Sequence, residues 1–391
     1  MTTKTRILYL IDEFWSPSGG TEQNLLWLLT RVPEKAFEKY FVVFSAVRGC
    51  DPNVLPLAPR RLADEFGFGW KTWPRRIREL AKILQDNRID VIHAFSKNGE
   101  LAAVLAARLV GRMTAEYRSN FLPVIGNRRD IGYHWTWRSR LLSRFVQWFR
   151  IRYVANSEAA RQAAHRIEGI ALDRLTVIRN PISGERLQRG LERSLCRRDI
   201  ADDLPDNAIL IGMIATVRPI KDYPTLFRAA KTVIEKYPDA FFVIVGEAEP
   251  PTHRQELENL AAELGIEHRI VWFGSLDNPY RILPLLDIAV LSSHSESFSN
   301  AVLEYAVSGR AIVVSDVGGL GEIVRQNETG LLVPPSNPVE LATSLLRLLN
   351  DPQLREALSC AARNFALQEF SESKILALYL DLYLRKTELQ S

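Results

Sequence analysis

Ser293-His294-Ser295-Glu296-Ser297-Phe298-Ser299-Asn300-Ala301-Val302-Leu303-Glu304, followed by Val317-Gly318-Gly319, decides how the chain is read. Ahead of it runs Asp287-Ile288-Ala289-Val290-Leu291, a short apolar run rich in β-branched residues, which predicts a buried strand. Behind it, Val302, Leu303, Ala306 and Val307 fall on one face of a helix. Glu296 therefore sits in a strand-to-helix loop, and Glu304 lies about one turn inside the helix. The helix start, Ser299 to Glu304, presents free backbone N–H groups that favour a phosphate. A carboxylate above such a pocket can accept sugar hydroxyls, and one inside it can take a ribose diol. Taken alone, the pair reads more simply as two solvated glutamates flanking a capped helix.

The flanking sequence separates these readings. Glu296 to Glu304, then Ala306-Val307-Ser308-Gly309-Arg310-Ala311-Ile312-Val313-Val314-Ser315-Asp316-Val317-Gly318-Gly319, then Glu322-Ile323-Val324 and Thr329-Gly330-Leu331-Leu332-Val333, closely resembles the donor-site signature of the retaining glycosyltransferases of family 4, glycosyltransferase group 1. The resemblance implies the GT-B fold. That is an α/β architecture of two Rossmann-like domains with parallel sheets facing a central cleft, and a C-terminal helix crossing back onto the first domain. It also implies roles: Glu296 near the donor sugar ring, Glu304 on the ribose hydroxyls, backbone N–H groups of Ser299 and Asn300 on the phosphates, and room at Gly318 and Gly319 for the sugar.

At 391 residues the chain is long enough for about two full domains. Its 47% apolar and 25% charged content is that of a globular protein in water. The first apolar run, Ile7 to Ile11, is too short for a signal-peptide core and stops at Asp12-Glu13. No run approaches the roughly 18 apolar residues of a membrane span. Cys50, Cys196 and Cys360 are far apart and fit no metal or redox spacing, so free thiols in a reducing cytoplasm are expected. The net charge of +4 hides an asymmetry: residues 1–200 carry 34 Lys/Arg against 20 Asp/Glu, and the remainder 16 against 26. A basic first half suggests an anionic acceptor or surface facing it.

Strand-like and helix-like segments alternate throughout, which predicts parallel sheets with helices on both faces. The first strand, Arg6 to Asp12, runs into Ser16-Pro17-Ser18-Gly19-Gly20-Thr21-Glu22 and a helix carrying Leu25, Leu26, Leu28 and Leu29. A paired glycine there lets the backbone approach an anion, or simply makes a tight turn. The resemblance places Gly19 and Gly20 beside the donor phosphate. Further strands are expected at Tyr40 to Ala46, Asp90 to Phe95, Arg112 to Tyr117, Tyr153 to Asn156 and Leu175 to Ile178. Residues 1–185 make the first domain, 186–206 a charged linker, and 207–370 the donor domain, with 371–391 packing back. The second domain's strands are expected at Ala208 to Ala215, Ala240 to Val245, Arg269 to Phe273, Asp287 to Ser292 and Ala311 to Ser315.

Ile214-Ala215-Thr216-Val217-Arg218-Pro219-Ile220-Lys221-Asp222 ends a strand and opens a helix. Arg218 and Lys221 are placed to clamp a diphosphate and stabilise charge on a leaving nucleoside diphosphate, though two solvated cations would read the same. Many family members carry the arginine five residues before the lysine, where Thr216 stands here. At Trp272-Phe273-Gly274-Ser275 the resemblance implies nucleobase contacts through backbone groups near Gly274. Asp202-Asp203 falls in the linker and no DxD-type motif accompanies the set, so metal-independent transfer with no cofactor beyond the nucleoside-diphosphate sugar is expected. Relatives often have a histidine after the fourth strand. Here Met113-Thr114-Ala115-Glu116-Tyr117-Arg118 has none, and Arg118 takes that place as a phosphate or anionic-acceptor contact. His93, ending the preceding strand, is a second such candidate and equally a structural histidine.

Arg128 to Tyr153 interleaves Trp135, Trp137, Leu141, Leu142, Phe145, Trp148 and Phe149 with seven arginines: Arg128, Arg129, Arg138, Arg140, Arg144, Arg150 and Arg152. Leu141, Leu142, Phe145, Trp148 and Phe149 are read as one helical face. That suits an anionic membrane surface, and equally a core-facing helix with a basic outer face. Nucleic acid is not expected, since no such motif is present. The function expected is therefore a retaining hexosyltransferase of polysaccharide biosynthesis, acting on a glycan or lipid-linked acceptor, cytoplasmic or peripheral on the inner membrane face. A nucleotide-sugar 2-epimerase of the same architecture and a non-catalytic glycosyltransferase-like subunit are the rivals.

Overall fold

The computed structural model describes residues 4–14, 19–45, 47, 55–62, 72–113, 122–132, 137–149, 151–202 and 204–385. It divides into two compact units, Met1–Arg179 with Ser373–Ser391, and Asn180–Glu372.

The strands of the first unit are β1 (Thr5–Ile11), β2 (Phe37–Val43), β3 (Arg60–Arg61), β4 (Val91–Ala94), β5 (Val124–Arg128), β6 (Arg152–Ala155) and β7 (Leu175–Val177). Its helices are α1 (Gly20–Arg31), α2 (Trp73–Asp86), α3 (Lys97–Met113), α4 (Trp137–Gln147) and α5 (Glu158–Glu168). The second unit adds α6 (Gly184–Glu192) and α7 (Arg197–Ile200), then β8 (Ile209–Ile214), α8 (Tyr223–Lys236), β9 (Ala240–Val245), α9 (Thr252–Leu264) and β10 (Ile270–Gly274). It continues through β11 (Ile288–Leu291), α10 (Asn300–Val307), β12 (Ala311–Ser315), β13 (Leu331–Val333), α11 (Pro338–Asn350) and α12 (Pro352–Glu369). The last helix is α13 (Glu372–Leu384).

Strand order is β3-β2-β1-β4-β5-β6-β7 in one sheet and β10-β9-β8-β11-β12-β13 in the other. All the strand pairs are parallel. Period-2 alternation puts Leu8 and Leu10 of β1 in one apolar layer and Ile7, Tyr9 and Ile11 in the other, so helices cover both faces. The order reverses between β1 and β4 and between β8 and β11. In doubly wound sheets such switch points are where ligands bind, at the carboxyl ends of the strands.

The C-terminal helix joins the first unit, as expected. Tyr379 and Tyr383 of α13 are fully buried there, against Trp27 and Phe37. Three expectations need correcting. Residues 112 and 113 end α3 rather than starting a strand, and the strand beside β4 is Val124–Arg128. It is buried along its whole length although it reads Val-Ile-Gly-Asn-Arg. The polar half is tolerated because Arg128 is clamped by two buried carboxylates, Nε to Glu168 Oε1 at 2.6 Å and Nη1 to Glu100 Oε1 at 2.5 Å. Residues 186–206, expected as linker, contain α6 and α7 and belong to the second unit. The third correction is α4: Leu142 and Phe149 pack against the core with Val146, while Leu141, Phe145 and Trp148 are exposed at 63%, 47% and 81%. No helix among the described residues is long and apolar enough to cross a membrane.

Candidate active site at the switch point of the second sheet

β8 ends at Ile214, and its loop turns at Pro219–Lys221 before Asp222 caps α8, its Oδ1 accepting from the Thr225 N–H at 3.3 Å. β11 ends next to it. Ser292 at that end donates to the carbonyls of Lys221 and Asp222, both at 3.0 Å, and the His294 N–H donates to the Ile220 carbonyl at 2.9 Å. The two loops are thus bound together along their backbones. Across them the Lys221 ammonium donates to Glu296 Oε1, which also accepts from Ser293 Oγ at 3.0 Å. The Glu296 carbonyl accepts from the Gly319 N–H at 3.1 Å, so the Gly318-Gly319 turn closes over the same loop. Gly318 has φ +54°, a left-handed conformation that favours glycine.

Ser299 is the N-cap of α10, its Oγ accepting from the Val302 N–H, and the first backbone N–H groups of that helix form an anion-favouring end. The Asn300 side chain is tied to Asn180 at 2.6 Å. Tyr305, buried on α10, accepts the Ile214 N–H at 2.7 Å and fixes the helix to the end of β8. One turn into α10, Glu304 is 12% exposed at its side chain and receives Arg186 Nη1 at 3.3 Å. Burial pushes its carboxyl up to about 7, and Arg186 opposes that rise.

Arg218 lies on the same loop as Lys221 but pairs with Glu249 through Nε at 3.0 Å, at the surface. Gly274, at the end of β10 with φ +79°, lines a pocket of about 160 Å3 together with Val217, Gly246, Arg254 and Trp272. Trp272 packs edge-on against Phe227 and carries the Arg254 guanidinium 5.2 Å from its ring centre. Sequence reasoning missed Gly246. Its φ is +149°, and an added Cβ would lie 2.0 Å from the Ala215 carbonyl oxygen. It missed Arg186 too, which carries no signal beyond being one charge among many.

In the first unit, Gly19 caps α1, and the Gly20 carbonyl accepts from Arg129 at 3.3 Å. His93 is fully buried. Its Nε2 accepts from Asn127 Nδ2 at 2.8 Å, and its Nδ1–H faces the Tyr383 hydroxyl at 2.8 Å. Burial pushes its pKa down to about 3, so it is neutral at physiological pH. An acceptor or phosphate contact does not fit this placement. Arg118 lies outside the described residues, and residues 112 and 113, expected to open the strand before it, end α3 instead. Cys196 and Cys360 are free and exposed.

The model of Glycosyltransferase Family 4 matches residues 25–186, and that of Glycosyl transferases group 1 matches residues 199–365. The chain belongs to this glycosyltransferase family. Among curated members, the D-inositol 3-phosphate glycosyltransferase of Salinispora tropica is 32% identical over 52% of this chain and 42% of its own length. The lipopolysaccharide core biosynthesis glycosyltransferase LpsD of Rhizobium meliloti is 32% identical over 46% of this chain and 50% of its own. The chain spans about half the length of the curated relatives it matches. Among solved structures, Anabaena HepE in complex with UDP superposes with a TM-score of 0.81 at 19% identity, covering 97% of this chain and 99% of that one. The glycosyltransferase from Rickettsia africae gives 0.79 at 19% identity, over 98% and 99%. These likenesses establish the family's two-domain GT-B fold for this chain.

Proposed function

We propose that the chain is a retaining glycosyltransferase that moves a hexose-type sugar from a nucleoside-diphosphate sugar to a hydroxyl of a glycan or lipid-linked acceptor. One observation carries the reading: Lys221, Glu296, the N-terminal end of α10 and Glu304 are assembled at the switch point of the second sheet. In this reading the diphosphate lies between Lys221 and the N–H groups of Ser299 and Asn300, with Arg218 turning in from Glu249. Glu304 takes the ribose, the pocket at Gly274 takes the base, and Glu296 meets the sugar over Gly318 and Gly319. The bond between the sugar's anomeric carbon and the phosphate oxygen breaks, and its electron pair leaves on the nucleoside diphosphate. The acceptor oxygen bonds to the same face, and its proton passes to the departing phosphate. Lys221 and Arg218, rather than a metal ion, supply the stabilising charge, and Gly19 and Gly20 are assigned to the donor phosphate on family resemblance. Solved complexes of Anabaena HepE with UDP and with UDP-glucose make a UDP-sugar the first donor to test.

The basic first half fits an anionic acceptor. The exposed stripe of Leu141, Phe145 and Trp148, with Arg144 exposed beside it, supports contact of α4 with an anionic membrane surface. Incubation with a panel of UDP-, GDP-, ADP- and dTDP-sugars, following free nucleoside diphosphate against epimerised donor, tests the reaction class. Release of nucleoside diphosphate that depends on acceptor, and is lost in Glu296→Ala, is expected. Epimerised donor, or activity untouched by that substitution, would overturn it.

A further inference from the structure

We propose that Arg186 is a positioning residue that holds Glu304 as an oriented anion, so that the grip of this site on a ribose runs through α6. The inference rests on the reading of Glu304 as the ribose carboxylate and adds a residue to it.

The geometry begins with how α6 is seated. Ser183 caps it, its Oγ accepting from the Arg186 N–H at 3.3 Å. The Arg186 carbonyl accepts from Asn278 Nδ2 at 2.7 Å. Gly190 lies so close to the next turn that an added Cβ would sit 2.4 Å from the Tyr280 Cβ. The helix is therefore docked on the segment that follows β10, and it presents Arg186 across that segment to α10. Nη1 donates to Glu304 Oε1 at 3.3 Å and Nη2 to the Asp277 carbonyl at 3.4 Å. The guanidinium thus braces the carboxylate against the loop after Gly274.

A carboxylate accepts two hydroxyls only when ionised, since the protonated form turns one oxygen into a donor. Glu304 sits where burial favours the protonated form. The phenols of Tyr280 and Tyr305 also face it, and burial holds both well above their usual range, so they stay neutral. Among the described residues the Asn180–Asn300 contact at the start of α10 is uncharged as well. Arg186 is the cation acting on Glu304.

The test uses the full chain and compares a nucleoside diphosphate with its 2′-deoxy counterpart, taking whichever of UDP, GDP and ADP binds tightest. The readout is the ratio of the two affinities, which cancels diphosphate and base contributions. For the wild type this ratio should rise through pH 7 as Glu304 ionises and level above it. Arg186→Gln should lower the ratio about fivefold at pH 7, because Glu304, half-ionised there in the wild type, becomes mostly protonated. The deficit should shrink toward pH 9, and Arg186→Lys should restore much of it. An unchanged ratio in Arg186→Gln, or equal weakening of both nucleotides at every pH, would overturn the assignment while leaving the donor site standing. A wild type that binds no nucleoside diphosphate, or does not distinguish the pair, would overturn the donor-site reading and this assignment together.

Discussion

Lys221 and Glu296, 75 residues apart in sequence, are joined as an ion pair where the loops after β8 and β11 meet. Their side chains are 20% and 12% exposed, so the pair is shielded from bulk solvent without being sealed off. Because the loops are held by separate hydrogen bonds from the Ser292 hydroxyl and the His294 N–H, removing the ammonium should leave the fold intact. Lys221→Ala is expected to lower kcat/KM by at least about a hundredfold, the scale of losing one charge-stabilising donor. Initial rates of nucleoside diphosphate release, with far-UV circular dichroism melting as the folding control, check this. A variant within threefold of wild type would contradict it.

Glu304 links binding to stability. Its folded pKa, about 7, is raised above the ordinary glutamate value, so its contribution to stability is fully present below that ordinary value and is lost as pH rises through about 7. Glu304→Gln removes this dependence. Between pH 5 and pH 8 the wild type should lose roughly 3 kcal/mol relative to the variant. Urea unfolding at the two pH values measures it, and parallel curves would rule out a raised pKa.

Arg128 is 2% exposed and lies 4.3 Å from the centre of the Tyr153 ring, with Glu100 and Glu168 on its guanidinium and Ser143 donating to Glu168. The cluster ties β5 to α3, α4 and α5. Arg128→Ala would strand two buried carboxylates, at an expected cost of about 3–5 kcal/mol. Chemical unfolding measures the loss, and a destabilisation under 1 kcal/mol would show that the cluster is not what holds this strand.

That same cluster explains what could not be read ahead. A buried strand is recognised by its apolar run, and Val124-Ile125 is too short a run to announce one when Gly126-Asn127-Arg128 follows. The Asn127 amide group and the Arg128 guanidinium are buried with their N–H donors held by partners from β4, α3 and α5, and those partners are distant in sequence. The error carried over to Arg118, whose place depended on the misread strand. In the second unit β11 and β12 are nearly pure Ile, Val, Leu and Ala, and the Glu296-to-Gly319 signature is contiguous, so fold and candidate site were legible together. Arg186 was not. It reaches Glu304 across 118 residues from a segment whose charge masks its helical pattern.

The outward face of α4 gives a further expectation. Replacing Leu141, Phe145 and Trp148 by serine removes exposed apolar surface and leaves Val146 and Leu142 in the core. Sedimentation with vesicles rich in anionic lipid should show at least about a fivefold drop in bound fraction, since insertion of apolar side chains adds to charge attraction. Wild-type binding should itself weaken with salt. Equal sedimentation of variant and wild type would remove α4 from the membrane reading.

The measurement that bears most directly on the central claim is a crystal structure with a bound nucleoside diphosphate. The account predicts the diphosphate within hydrogen-bonding distance of Lys221 Nζ and the first N–H groups of α10, with both ribose hydroxyls on Glu304. A nucleotide seated elsewhere, touching neither Lys221 nor Glu304, would contradict it.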